Sequence, residues 1–121
     1  METRILVTTA VSGGSLRELL ESAIAQYGAK RLVTGMERVA MDFSLPCPSG
    51  EGTPLTPRQL AELRRDCGAS VFFSESLCAK YFTCRRGGVW HFILFDDEET
   101  LRRKEALARS LGIESVFLLL Y

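Results

Sequence analysis

Between residues 4 and 36 the chain passes from an apolar stretch through a glycine turn and a striped segment into a second apolar stretch. Residues 4–11, RILVTTAV, have the β-branched, apolar character of a buried strand. Ser12, Gly13, Gly14 and Ser15 break that run, and Ser15 with Glu18 forms the signature of a helix start. Leu16, Leu19, Leu20, Ala23, Ile24 and Tyr27 then recur at helical spacing, and Gly28 is placed to stop the helix. RLVTG reads as a second strand. Strand–helix–strand at this spacing is a βαβ unit, which demands parallel strands and a right-handed crossover.

The carboxyl end repeats the order. VWHFILF places Val89, His91, Ile93 and Phe95 on one face and Trp90, Phe92 and Leu94 on the other, so the strand is expected to be central or covered on both sides. DDEETLRRKEALARSLG follows as a helix, with Asp96 and Asp97 able to cap it and Glu98/Arg102, Glu99/Arg103 and Glu105/Arg109 as i,i+4 pairs. SVFLLLY reads as a fully buried last strand. Between these units, residues 46–57 hold all four prolines and mark a boundary. Thr56, Pro57 and Gln59 then open a short helix that ends at Gly68. SVFFSES is strand-like, and AKYFTC and VWHFILF form a hairpin across a four-residue RRGG turn. The expected class is α/β, with βαβ units at both ends and a small α+β excursion between them.

With 121 residues the chain suits one domain, and a complete (β/α)₈ barrel needs about 250. Fifteen Lys and Arg balance fifteen Asp and Glu, which argues against nucleic-acid binding through bulk charge. No apolar run approaches the roughly 18–20 residues of a membrane span, and the opening run is too short for a signal peptide. Cys47, Cys67, Cys78 and Cys84 contain no Cys-x-x-Cys pair, so four reduced, mostly buried thiols and a cytoplasmic, soluble protein are expected.

Each candidate for chemistry has a plainer structural reading. The Ser12–Gly13–Gly14–Ser15 loop precedes a helix, where backbone N–H groups hold anions, but it lacks the Lys-Ser/Thr of a P-loop. A βα turn with a capping serine explains it. His91 is a candidate base, and a lone His in an apolar strand is more often a hydrogen-bonded structural residue. The acids Asp96–Glu99 suit a cation or, at a helix start, the helix dipole. No metal site and no cofactor are expected.

The string LRELLESAIAQYGAKRLVTGMERVAMDFSLP resembles the C-terminal part of family 18 glycoside hydrolases, in the chitinase-like, spore-lytic N-acetylglucosaminidase branch. Asp42, Phe43, Leu45 and Pro46 keep the tail of that branch's Tyr-Gly-Tyr-Asp-Trp-x-Leu-Pro segment. The stretch from LTPRQLAEL through GGVWHFILFDDEETLRRKEALARSLGI resembles the family's α+β insertion, the helix with a central lysine (Lys104) and the approach to the last barrel strand. The resemblance implies a partial (β/α)₈-barrel-like portion at 1–45 and 92–121, with an insertion subdomain at 46–91. It also implies what has changed. The family's Asp-x-x-Asp-x-Asp-x-Glu acid motif occurs nowhere in these residues. Its Met-x-Tyr-Asp group reads Val7, Thr8, Thr9, Ala10, its next tyrosines read Val39 and Met41, and its stacking tryptophan falls at about Leu119. The expectation is a non-catalytic module that serves as an interaction or regulatory protein of unknown ligand. Open half-barrel edges imply a homodimer or a complementary half-barrel chain as partner. The alternative is a carbohydrate-binding protein, with Asp42, His91, Asp96 and Asp97 as its ligand-binding polar groups, or one half of a split hydrolase acting on N-acetylglucosamine-containing glycans.

Overall fold

The computed structural model describes residues 4–10 and 14–119. Strand β1 (Ile5–Thr8), helix α1 (Leu16–Tyr27) and strand β2 (Leu32–Met36) form the expected βαβ unit, with a 3₁₀ turn at Ala29–Arg31. After it come β3 (Ala40–Ser44), β4 (Thr53–Pro54), α2 (Pro57–Cys67), β5 (Phe72–Ser74), β6 (Ala79–Arg86), β7 (Val89–Phe95), α3 (Glu98–Ser110) and β8 (Ser115–Leu118).

Two sheets divide these strands. β1, β2 and β8 make a parallel sheet in the order β1-β2-β8, and β4-β3-β7-β6-β5 make an antiparallel one. Residues 40–44 and 92–95, read from the sequence as barrel portion, therefore belong to the antiparallel sheet. The reason is pairing: Ala40 to Ser44 run antiparallel along Phe95 to His91, which a parallel barrel strand cannot do.

Local chemistry sets the element ends. Ser15 caps α1 by accepting from the Glu18 amide, and Gly28 closes the helix at φ 86°. Thr56 and Gln59 complete a reciprocal capping box on α2, with Pro57 in its first turn and Gly68 in the left-handed conformation at its end. The hairpin turn is tighter than the sequence suggested. Arg86 pairs with Val89, leaving only Gly87 and Gly88, both at positive φ, as a two-residue turn.

Helices α1 and α3 pack on one face of the parallel sheet around Leu16, Leu20, Leu32, Ala108 and Ile113. Alternation turns Leu6, Val33 and Phe117 to the other face. There Leu6 and Phe117 are 55% and 47% exposed, so β8 is not the fully buried strand its composition implied. An apolar run cannot show which of its faces lacks a cover. A Cβ at Gly35 would meet Leu119 at 2.8 Å and Leu6 at 3.1 Å, so these two side chains close over the glycine. Helix α2 covers one face of the antiparallel sheet through Leu63, with Phe82, Ile93 and Phe95 beneath it.

The four thiols are not all reduced. Cys67, at the end of α2, is bonded to Cys84 on β6, while Cys47 and Cys78 are free. The bridge joins residues 17 apart through tertiary packing, which no Cys-x-x-Cys pattern announces. Burial pushes the Cys78 thiol above its ordinary value, so it is a poor nucleophile.

Candidate functional site

The carboxyl ends of β1 and β2 meet the antiparallel sheet through Glu37, Arg38 and Val39, and a cavity of about 680 Å³ opens there. Its volume lies within the roughly 300–1,000 Å³ of small-ligand sites. Met41, Phe43 and Leu94 supply an apolar wall from one sheet face, and Arg38, Glu37 and Glu51 supply charge. Thr9 accepts the Glu37 amide and the Leu119 amide donates to Met36, which fixes the strand ends that frame the opening. A wall of apolar groups with few converging polar ones suits a ligand that has both C–H faces and hydroxyls.

Beside this cavity lies a fully buried ion pair. Lys104 on α3 donates to Asp96 at 2.7 Å, and both side chains are at most 1% exposed. Asp96 also accepts from the Thr100 hydroxyl at 2.7 Å and from the Val39 amide at 3.0 Å. The Asp96 amide in turn donates to the Val39 carbonyl. One carboxylate thus ties the β2–β3 connection to the start of α3 and positions the backbone that lines the cavity.

The four polar residues named from the sequence serve separate contacts. Asp42 and His91 do come together, with Asp42 Oδ1 2.8 Å from His91 Nδ1 on the sheet face beneath α2. A carboxylate only accepts, so Nδ1 is the donor in this hydrogen bond. Cys84 stands directly across from His91, but its sulfur is committed to the disulfide. No nucleophile–base pair results. Asp96 is consumed by Lys104. Asp97 caps α3 by accepting from the Thr100 amide, and receives Lys80 at 2.6 Å. Ser15 caps α1 and Gly14 holds a turn at φ 76°, while Ser12 and Gly13 lie outside the described residues. Lys104, Thr100 and Arg38 were not singled out as site residues, because only tertiary packing reveals their placement. Among the described residues, no cluster of three or more His, Cys, Asp or Glu is placed to hold a metal ion. No helix among them is long and apolar enough to cross a membrane.

Burial works to raise the Asp97 carboxyl, but hydrogen bonds from Lys80 and the Thr100 amide, with the Lys80 charge, hold it below its ordinary value. The same hydrogen bond raises Lys80. A depressed carboxylate stabilises the fold above its unfolded pKa and loses that contribution as pH falls through the folded one. Asp97→Ala is therefore expected to cost about 1 kcal/mol at pH 7. The deficit relative to the parent should shrink in urea unfolding as the pH falls below the ordinary carboxyl value, where the unfolded Asp97 protonates before the folded one.

No family model matches the sequence. The cortical fragment-lytic enzyme of Bacillus subtilis is 26% identical over 111 residues, which is 85% of this chain and 25% of that enzyme. The chain thus spans about a quarter of the length of the curated relative it matches. The spore cortex-lytic enzyme SleL of Bacillus megaterium superposes with a TM-score of 0.74 at 19% identity, over 96% of this chain and 30% of that one. This is a chitinase-like fold. A chitinase of Chromobacterium violaceum superposes equally well, with a TM-score of 0.74 at 16% identity over 95% of this chain and 39% of that one. The likeness to the C-terminal part of family 18 glycoside hydrolases, read from Asp42, Phe43, Leu45 and Pro46 and from the order of elements, agrees with these matches. By name, two of these relatives are lytic enzymes of the spore cortex or its fragments and the third is a chitinase.

Proposed function

We propose that these residues form a glycan-binding module for N-acetylglucosamine-containing chains that does not hydrolyse them by itself. The observation that carries this reading is the cavity at the carboxyl ends of β1 and β2, lined by Met41, Phe43 and Leu94 against Arg38 and Glu51. In barrel enzymes that end of the strands is where ligands are held. The cortex-lytic and chitinase relatives point to the same ligand class. The acid motif of the family is absent from these residues, and Val39 and Met41 stand where its tyrosines are expected. Aliphatic side chains neither donate a proton nor orient an acetamide. Calorimetric titration with a chitooligosaccharide tests the reading. Binding should be seen without release of reducing ends, and Arg38→Ala should weaken it about tenfold. No binding, or reducing ends released by the purified chain, overturns it.

A second reading is favoured by the exposed Leu6 and Phe117 on the open face of the parallel sheet. Under it the chain is the non-catalytic portion of a split hydrolase, completed by a complementary barrel portion or by a second copy of itself. Light scattering at high micromolar concentration separates the two partners: a monomer excludes the second copy. The cytoplasmic expectation rested on reduced thiols together with the lack of a signal-peptide pattern or membrane-spanning run. The Cys67–Cys84 bridge and the spore enzymes among the relatives favour an oxidising, extracytoplasmic setting instead.

A further inference from the structure

The hairpin of β6 and β7 ends in a tip where apolar and cationic side chains share the solvent. Arg86 pairs with Val89 and Arg85 with Trp90 on either side of the Gly87–Gly88 turn. On the other edge of β7 the Leu45 amide donates to the Trp90 carbonyl at 2.8 Å, one step beyond the Ser44–His91 pair. Leu45, Trp90 and Arg85 therefore stand side by side in one cross-strand row. Alternation turns Val89 and Arg86 to the opposite face of the tip. Leu45 and Val89 are each 42% exposed and Trp90 is 51% exposed.

The charge of this tip is one-sided, although the whole chain is neutral. Residues 83–91, TCRRGGVWH, carry two arginines and no acid. Among the described residues neither arginine meets a carboxylate within ion-pair distance. The acids that border the same clefts, Asp42, Glu62 and Asp66, are engaged by His91, Arg58 and Arg65. Isolated exposed apolar residues are ordinary, but these three are neighbours and are flanked by uncompensated cations. A purely ionic partner would leave Leu45 and Val89 without a role. A stable protein interface enlists roughly 20–30 residues a side, far more than this tip offers. A bilayer surface asks for less: tryptophan settles at the headgroup level, aliphatic groups enter just below it, and arginines pair with lipid phosphates.

We propose that the β6–β7 tip is a peripheral anchor for an anionic lipid bilayer. Trp90, Leu45 and Val89 enter the interfacial layer, and Arg85 and Arg86 hold phosphates above them. The anchor lies on the bilayer, needs no spanning helix, and is independent of the glycan-binding reading. Trp90 is the one tryptophan of the chain, so tryptophan emission reports on this tip alone. Vesicles of phosphatidylglycerol and phosphatidylcholine in equal parts should shift that emission saturably to the blue, whereas vesicles of phosphatidylcholine alone should not. Arg85→Gln with Arg86→Gln should weaken partitioning about thirtyfold, as expected for two arginines near an anionic surface. Leu45→Ser with Val89→Ser should weaken it about tenfold. On the unmodified chain, salt at about 1 M should reverse the shift through screening, which tests the ionic part without any substitution. No shift, or an equal shift with neutral vesicles, overturns the anchor. Binding indifferent to the two serines would assign the tip to a soluble polyanion, and a blue shift that grows with protein concentration in the absence of vesicles would assign it to a contact between copies. Either result also overturns the anchor.

Discussion

Lys104→Ala is expected to cost about 3–5 kcal/mol, because it leaves the Asp96 carboxylate buried without a counter-charge. In a domain of ordinary stability, about 5–15 kcal/mol, that removes a large share of the total. Urea unfolding should show a correspondingly lower midpoint. Replacing both partners, as in Asp96→Leu with Lys104→Met, should recover only part of the loss. The charge is then gone, but the Thr100 hydroxyl and the Val39 amide lose their shared acceptor. A full recovery would mean that Asp96 does not organise the connection at Val39. Because Val39 lines the cavity, Lys104→Ala should also weaken glycan binding in whatever fraction remains folded.

Cys84→Ser is expected to cost about 3 kcal/mol under oxidising conditions, the loss anticipated for opening a loop of this length. Helix α2 is held to the sheet by Leu63, Leu60 and the bridge at its carboxyl end, so removing the bridge frees that end first. The parent protein in excess dithiothreitol should show the same loss, and Cys84→Ser should be insensitive to the reductant. Equal stability of oxidised and reduced parent would contradict a bridge that supports α2. His91 and Asp42 lie beneath the same helix, and their mutual hydrogen bond does not depend on the disulfide.

What the sequence disclosed depends on how local its cause is. Helix starts at Ser15, Thr56 and Asp97 follow from side chains a few residues from the backbone groups they cap, and the alternation in β7 fixed both its faces. Glycine pairs mark turns, though the length of the Gly87–Gly88 turn depended on register across the hairpin. The Cys67–Cys84 bridge, the exposed face of β8 and the Asp96–Lys104 pair all arise from packing between distant segments. Composition is silent on them. Asp96 shows the limit most clearly. Its place before a helix suggested a cap or a ligand group, whereas the fold turns it inward to a lysine eight residues on. The cavity was missed for the same reason, since Arg38, Glu51 and Leu94 are brought together only by tertiary structure.

The claim that these residues hold a glycan at the strand ends is tested most directly by amide chemical-shift mapping with a chitooligosaccharide. The account predicts saturable shifts at Arg38, Met41, Phe43, Glu51 and Leu94, with the sugar intact at the end of the titration. Shifts confined to the surroundings of Asp42 and His91, or none at all, would contradict it.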